Sequence, residues 1–152
     1  MFCYTCLSIS GEKRISPGPY IHVGEHWVVD HAYPTIHLGW LVILPKRHIE
    51  AMHELSLPEM QELAEIQYRL LQVMHQDPTI QKEYMMQFAE GEGFQHVHIH
   101  LVPKPDDLPD EHKGPRVFAR LSIAMYKPEL ALAAEAITAY CEDFTRKYQI
   151  LQ

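Results

Sequence analysis

Three histidines that alternate with apolar residues, in the run His96-Val97-His98-Ile99-His100, constrain this chain more than any other feature of its sequence. Side chains alternate between the two faces of a β-strand at about 3.3 Å per residue, so a strand would place the three imidazoles on one face, about 6.6 Å apart. The apolar residues between them would then fill the opposite face. The run therefore predicts a strand with one core face and one face available for chemistry.

Three interpretations of the histidine face follow from the residues alone. It could be a solvated strand face that happens to be rich in histidine. Two of the histidines and one further residue could hold a catalytic zinc ion, as in three-histidine sites. The middle residue, His98, could also be a nucleophile, because a neutral imidazole is nucleophilic near pH 7 and a phosphorylated histidine is a good leaving species. Its neighbours would then orient it and stabilise charge on phosphoryl oxygens.

The rest of the chain alternates short strand-like segments with two helical patterns. Segments rich in apolar, β-branched and aromatic residues predict strands at 20–23, 26–29, 40–44, 84–89 and 96–102. Ser56 and Glu59 have the spacing of a capping box at a helix start, and a second amphipathic pattern runs over 130–148. Strands first, one long helix between them and a helix at the end predict an α+β fold with a mainly antiparallel sheet of about five strands.

Composition excludes several classes of partner. The formal net charge is −7 and the sequence pI about 5.8, so the chain lacks the basic footprint that binds duplex nucleic acid or an anionic membrane. No apolar run approaches the roughly 20 residues that span a bilayer, and residues 1–6 do not have the pattern of a signal peptide. We therefore expect a cytoplasmic protein whose 152 residues form a single domain and whose three cysteines stay reduced.

The histidine run and two upstream segments together resemble the histidine triad (HIT) family. Residues 96–102 match its signature, three histidines alternating with apolar residues and followed by two more apolar residues. Residues 40–48 resemble the family's strand that ends in Pro-Lys-Lys-His, and residues 55–59 resemble the helix start that follows it. The resemblance covers the chain from about Cys3 to Pro105. It implies a HIT-like fold with a central helix and a C-terminal helix, commonly assembled as a homodimer.

As the resemblance implies, His98 attacks the α-phosphate of a nucleotide and forms a nucleotidyl-histidine intermediate, which water or another acceptor resolves. His100 would contact the phosphate and help the leaving group. The main-chain carbonyl at His98 would hold the other imidazole nitrogen and fix its tautomer. The expected substrates are purine nucleotides with a phosphoramide bond or dinucleoside polyphosphates. The alternatives are a nucleotidyltransferase with a non-water acceptor, a non-catalytic nucleotide-binding module, and a catalytic zinc hydrolase.

The resemblance also predicts nucleotide contacts, and it is incomplete at two points. Asp30 matches the acidic or amide residue that binds ribose hydroxyls, although a turn-forming aspartate also explains it. Gln87 matches the amide side chain near the phosphates, and backbone N–H groups at Gly93 are expected to meet phosphoryl charge. Trp40 stands where many members have a histidine. Glu92 and Gly93 stand where the family has a glutamine and a hydroxyl residue, which puts the substrate preference in doubt.

Cys3 and Cys6 form a C-x-x-C pair that, by itself, fits zinc ligation, a redox pair or two buried thiols. A redox pair normally opens a helix in a βαβ unit, and no such unit surrounds this one. Members of the superfamily with the N-terminal pair, including galactose-1-phosphate uridylyltransferases, bind zinc with it. The matching partner ligands here are His48 and His96, although His48 alone would be an ordinary surface residue. The resemblance thus implies one structural zinc ion per chain, with two thiolates and two imidazoles. The chain is expected to comprise a zinc-binding segment at 1–19, a catalytic core at 20–105 and a C-terminal loop and helix at 106–152.

Overall fold

The computed structural model describes residues 2–152, whose strands form a single five-stranded antiparallel sheet. The strands are β1 (His22–Val23), β2 (Trp27–His31), β3 (Leu41–Pro45), β4 (Ile80–Gln87) and β5 (Ile99–Pro105). They lie in the order β1-β2-β3-β5-β4, and every neighbouring pair is antiparallel. The predicted α+β fold with a sheet of about five strands is confirmed.

Four α-helices occur among the described residues: α1 (Tyr4–Ser10), α2 (Leu57–Met74), α3 (Ala119–Tyr126) and α4 (Ala134–Ile150). The predicted capping box starts α2, because the Ser56 hydroxyl accepts from the Glu59 N–H at 3.3 Å while the Glu59 carboxylate accepts from the Ser56 N–H at 2.7 Å. None of these helices combines the length and the apolar character that crossing a bilayer requires. The sequence analysis did not anticipate α1 or α3.

The predicted boundaries of the last two strands are wrong by several residues. The strand expected at 84–89 spans 80–87, and the strand expected at 96–102 starts at Ile99. The triad strand starts late because the backbone before it bonds outside the sheet. The Val97 N–H donates to the Ile49 carbonyl at 2.8 Å. Two of the three histidines, His96 and His98, therefore precede β5 instead of lying within it.

The two faces of the sheet are covered differently. The face beneath α2 and α4 is the main core, to which the sheet contributes Val29, Leu41, Ile43, Ile99 and Leu101. The strand register places Asp30, Val42, Met86 and His100 on the opposite face, since Val42 pairs with Asp30 and with His100, and His100 pairs with Met86. A smaller cluster around Trp40 and Val117 covers part of this second face. The fold thus leaves polar groups on the face away from the main core.

Two buried histidines join the connection between β2 and β3 to its neighbours. His31 donates from Nδ1 to the Ala32 carbonyl at 2.7 Å and accepts the Gly39 N–H at Nε2, at 2.9 Å. His37 donates from Nε2 to the Pro103 carbonyl and accepts from the Arg120 guanidinium at Nδ1, both at 2.7 Å. One ring nitrogen of each accepts, so both imidazoles are neutral. Burial lowers the pKa of each to about 4.

We expect the fold to lose stability as the pH falls from about 6.5 toward 4. Unfolded histidine binds a proton below its ordinary pKa, whereas the buried form of His37 stays neutral, so protons favour the unfolded chain in this window. The variant His37→Gln keeps a donor and an acceptor but does not titrate. Its loss of unfolding free energy between pH 7 and pH 5, measured by urea denaturation, should be smaller than the wild-type loss by about 1–2 kcal/mol. An equal loss in both proteins contradicts this. The exposed His53→Gln is the control that should match wild type.

Candidate active site and metal centre

His98 and His100 open into a cavity of about 190 Å³ on the second face of the sheet. The sheet contributes Asp30 and Val42 to its wall, α1 contributes Thr5 and Ser8, and α3 contributes Leu121 and Met125. Most of the wall is apolar. Sites for drug-sized ligands usually measure about 300–1,000 Å³, so this cavity has room for part of a nucleotide, with the remainder at the open side.

The ring of His98 is fixed by a main-chain carbonyl. Its Nδ1 donates to the His96 carbonyl oxygen at 2.7 Å, so Nδ1 carries the proton and Nε2 keeps a free lone pair. The residue predicted to supply this carbonyl, His98 itself, is wrong. The His96 carbonyl can accept because the chain at 96–98 lies outside the strand ladder. His98 is half-buried, and its ring lies 5.0 Å from that of His100.

His100 is fixed in the opposite tautomer by Trp40. The indole Nε1–H donates to His100 Nδ1 at 3.0 Å, and because an indole can only donate, His100 carries its proton on Nε2. Burial, together with the neighbouring His98, lowers the pKa of His100 to about 3. The sequence marked Trp40 only as a departure from the family pattern. The structure gives this residue a direct hydrogen bond to the triad.

The four residues predicted to bind zinc lie together, and their ligand atoms are all within 4.8 Å of one another. The Cys6 sulfur lies 3.3 Å from Nδ1 of His48 and 3.5 Å from Nδ1 of His96, and the Cys3 sulfur lies 3.7 Å from the latter. A tetrahedral zinc ion with ordinary Zn–S and Zn–N bonds would separate its sulfur and nitrogen ligands by roughly 3.5 Å. The donor set and its spacing therefore fit zinc.

The orientation of His96 also fits a metal ligand. Its Nε2 donates to the Pro45 carbonyl at 2.8 Å, which leaves the unprotonated Nδ1 facing the two sulfurs. Metal-binding histidines usually donate their second ring nitrogen to a carbonyl or a carboxylate in this way. His96 is fully buried and is absent from the cavity wall that contains the other two triad histidines. The geometry thus separates it from them.

Helix α1 belongs to both the metal group and the cavity. Cys3 caps its N-terminus by accepting the Cys6 N–H at its sulfur, at 3.3 Å. Thr5 and Ser8 of the same helix line the cavity. The Tyr4 N–H donates to the Gly93 carbonyl at 2.9 Å, which ties the helix to the turn before the triad.

The predicted ribose contact, Asp30, lines the cavity but is already paired. Its carboxylate accepts from the Arg14 guanidinium at 2.6 and 3.2 Å and from the His31 N–H at 3.0 Å. Burial raises the pKa of Asp30, and the bonds from Arg14 oppose that rise. Three of about four acceptor positions are thus occupied, which leaves room for one ribose hydroxyl. No sequence pattern indicated Arg14 as its partner.

The structure does not bring Gln87 or Gly93 to the cavity wall. Gln87 pairs with Ile99, so it shares the strand face that packs beneath α2 and α4 instead of the face of His100. Gly93 has a φ of +77° and lies against Tyr4, whose ring stacks on that of Phe94. Phe94, which the sequence analysis did not single out, lines the cavity. The predicted phosphate contacts of Gln87 and Gly93 remain predictions.

We expect Gly93→Ala to destabilise the protein by more than the cost of a left-handed backbone. A Cβ at Gly93 would lie 2.6 Å from the Tyr4 ring, whereas one at Gly11, which also has a positive φ, would have nothing within 4 Å. Left-handed backbone alone costs about 1–2 kcal/mol in a residue with a Cβ. Gly11→Ala should show only this cost in urea denaturation, and Gly93→Ala should show at least about 1 kcal/mol more from overpacking. Equal losses would contradict the packing of α1 on this turn.

Comparison with known proteins places the chain among histidine triad proteins. The profile of the HIT domain matches residues 26–107. A hypothetical histidine triad nucleotide-binding protein from Sulfolobus tokodaii has a similar structure, with a TM-score of 0.65, 19% identity and coverage of 98% of this chain and 93% of that one. A Zn-bound histidine triad family protein from Mycobacterium smegmatis has a TM-score of 0.59, 16% identity and coverage of 95% and 96%. A HIT family hydrolase from Clostridium thermocellum has a TM-score of 0.52, 23% identity and coverage of 71% and 95%. No curated protein sequence matches the chain.

Proposed function

The chain belongs to the HIT domain family, and from this premise we propose that it hydrolyses nucleotides through a nucleotidyl-histidine intermediate on His98. The bond cleaved would be a phosphoric anhydride or phosphoramide bond at the α-phosphate. The observation that supports this most strongly is the pair of opposite tautomers at one cavity. His98 offers a lone pair on Nε2, and His100 offers an N–H on the same ring atom.

The proposed first step uses both rings. The Nε2 lone pair of His98 forms a bond to the α-phosphorus as the bond from phosphorus to the leaving group breaks, and the leaving group departs with that electron pair. The imidazole gains positive charge, which the Nδ1–H bond to the His96 carbonyl stabilises. His100 donates from Nε2 to a phosphoryl oxygen. Water, or a different acceptor in a transferase, then attacks phosphorus and releases His98.

We assign the structural metal to the four-residue group at the N-terminus. Zinc there would be held by Cys3, Cys6, His48 and His96 and would supply a cross-link between α1 and the chain before β5. The carbonyl bond of His96 and its place outside the cavity wall support a structural role. The nucleophile, His98, belongs to a separate hydrogen bond and stays available to the substrate.

The nucleotide would lie with its phosphates at the histidines and part of the nucleoside among the apolar side chains of the cavity. We propose Asp30 as a ribose contact through its remaining acceptor position. We also retain the expectation of a cytoplasmic homodimer. The three free thiols fit a reducing compartment, and apolar side chains such as Met125 and Tyr126 are exposed in the single chain.

Turnover of defined nucleotides tests this function. The protein is incubated with diadenosine triphosphate and with adenosine 5′-phosphoramidate, and release of AMP is followed by chromatography, with and without added zinc. We expect AMP release at the same rate in both conditions. Saturable binding of AMP with no turnover of either compound would favour a non-catalytic binding module. A rate that rises in proportion to added zinc would favour a catalytic metal site.

A further inference from the structure

The hydrogen bond between Trp40 and His100 has a consequence for the substrate. We propose that Trp40 is a positioning residue that holds His100 as a permanently neutral hydrogen-bond donor, and that this restricts the enzyme to substrates whose leaving group departs as a stable anion. The inference rests on the proposed function, which it narrows from two kinds of bond to one.

The geometry allows His100 only one arrangement of its protons. A charged imidazolium carries N–H groups on both ring nitrogens. Protonated Nδ1 of His100 would then face the indole N–H across 3.0 Å, two donors with no acceptor between them. Trp40 has no exposed surface, and its ring is enclosed edge-on by the rings of His37, His100 and Phe118, at 5.6–5.8 Å. The indole is therefore held where it blocks the second proton.

The surroundings of His100 do not compensate a positive charge. Its strand partners are Val42 and Met86, and the Phe118 ring lies edge-on at 5.1 Å. The titratable group that affects its charge is His98, which is basic and opposes protonation. Burial acts in the same direction and is the larger cause of the lowered pKa. Geometry and environment therefore both favour the neutral form.

A neutral imidazole can donate a hydrogen bond but is a very poor proton donor, because losing its one N–H proton would leave an imidazolate anion. His100 can therefore stabilise a phosphoryl oxygen without protonating the leaving atom. A carboxylate or a phosphate departs readily as an anion. An alkyl amine departs only after its nitrogen gains a proton. The turn before the triad adds no hydroxyl at Glu92 or Gly93. We thus expect cleavage of acyl-phosphate and phosphoric anhydride bonds in preference to alkyl phosphoramides.

The tautomer can be tested without any substrate. Two-dimensional ¹⁵N–¹H spectra of the imidazoles report which ring nitrogen of His100 carries a proton. In the wild type we expect Nε2 alone to be protonated from pH 8 to pH 5. In Trp40→Phe, which keeps a ring but has no N–H, we expect a mixture of tautomers or a second proton within this range. Protonation of both nitrogens in the wild type at pH 6, or an unchanged spectrum in Trp40→Phe, would overturn the proposal.

Trp27→Phe is the matched control. Trp27 has no exposed surface either, and its indole donates one hydrogen bond, to the Glu59 carbonyl at 2.8 Å. This variant should leave the His100 spectrum as in the wild type. A change in His100 of the same size in both variants would mean that a general loosening of the fold sets the tautomer. That result would also overturn the proposal.

The leaving-group restriction is tested with the wild-type protein and two aryl esters of AMP. The 4-nitrophenyl ester releases an acidic phenol, whereas the phenyl ester releases a phenol with a pKa near about 10. General acid catalysis typically contributes about 10²–10⁴-fold, so without it kcat/KM should fall by a factor in this range from the first ester to the second. Equal kcat/KM values would overturn the restriction alone. Failure of both esters to adenylylate the protein would contradict the proposed function and the restriction together, while the spectra would still decide the tautomer.

Discussion

Replacing His98 with alanine is expected to abolish the adenylylated protein and to lower AMP release from diadenosine triphosphate by on the order of 10⁴-fold or more. The variant removes the only atom that we propose to bond to phosphorus, the Nε2 of a ring whose other nitrogen is held by the His96 carbonyl. His100 and the cavity would remain to bind the substrate. Binding should therefore survive while the covalent step is lost.

Intact-protein mass spectrometry after rapid acid quenching is the direct measurement. The wild type should gain the mass of one AMP moiety, and neither His98→Ala nor His98→Gln should gain it. His53→Ala, at an exposed position, should behave as the wild type. A mass increase that persists in both His98 variants would place the covalent bond on another residue. Unchanged turnover without an adduct would favour direct attack by water.

Replacing Cys3 with serine is expected to remove zinc and to lower the melting temperature by about 10 °C or more. Structural zinc in small domains is worth about 10–16 kcal/mol of folding free energy, and about 1 kcal/mol shifts the melting temperature of a domain of this size by about 2–4 °C. A loss of only several kcal/mol therefore suffices. Serine can still cap α1 as Cys3 does, so the variant tests the metal ligand and spares the helix cap.

Cys141→Ser is the matched control, because Cys141 is also fully buried but lies in α4, away from the metal group. It should lower the melting temperature by placing a hydroxyl in the core, but elemental analysis should find the wild-type zinc content. Equal zinc content in Cys3→Ser would rule out Cys3 as a ligand. Below its melting temperature, Cys3→Ser should raise KM more than it lowers kcat, because α1 forms a wall of the cavity and does not contain the nucleophile.

The features that sequence predicted well depend on local patterns. The capping box at Ser56 and the alternation of strand residues depend on neighbours along the chain. The four metal-binding residues came together as the resemblance implied, although 93 positions separate Cys3 from His96. Such a group could be predicted only because a family supplies the pairing.

The features that sequence missed depend on contacts between distant segments. Strand β5 begins at Ile99 because the preceding backbone bonds to Ile49, and no local preference of the triad residues reveals that partner. Asp30 is paired with Arg14, which lies in an irregular segment without a recognisable pattern. The role of Trp40 depends on which ring nitrogen it faces across the sheet. Local sequence does not encode any of these three pairings.

Helix α1 has seven residues, far fewer than the about 12–15 that a helix needs to persist in water by itself. Its order is supplied by its two attachments, the thiol and imidazole group around Cys3 and Cys6 and the carbonyl of Gly93. The wall that contains Thr5 and Ser8 therefore lasts only as long as those attachments hold. The residence time of a bound nucleotide is then linked to the lifetime of bonds at the N-terminus that never touch it.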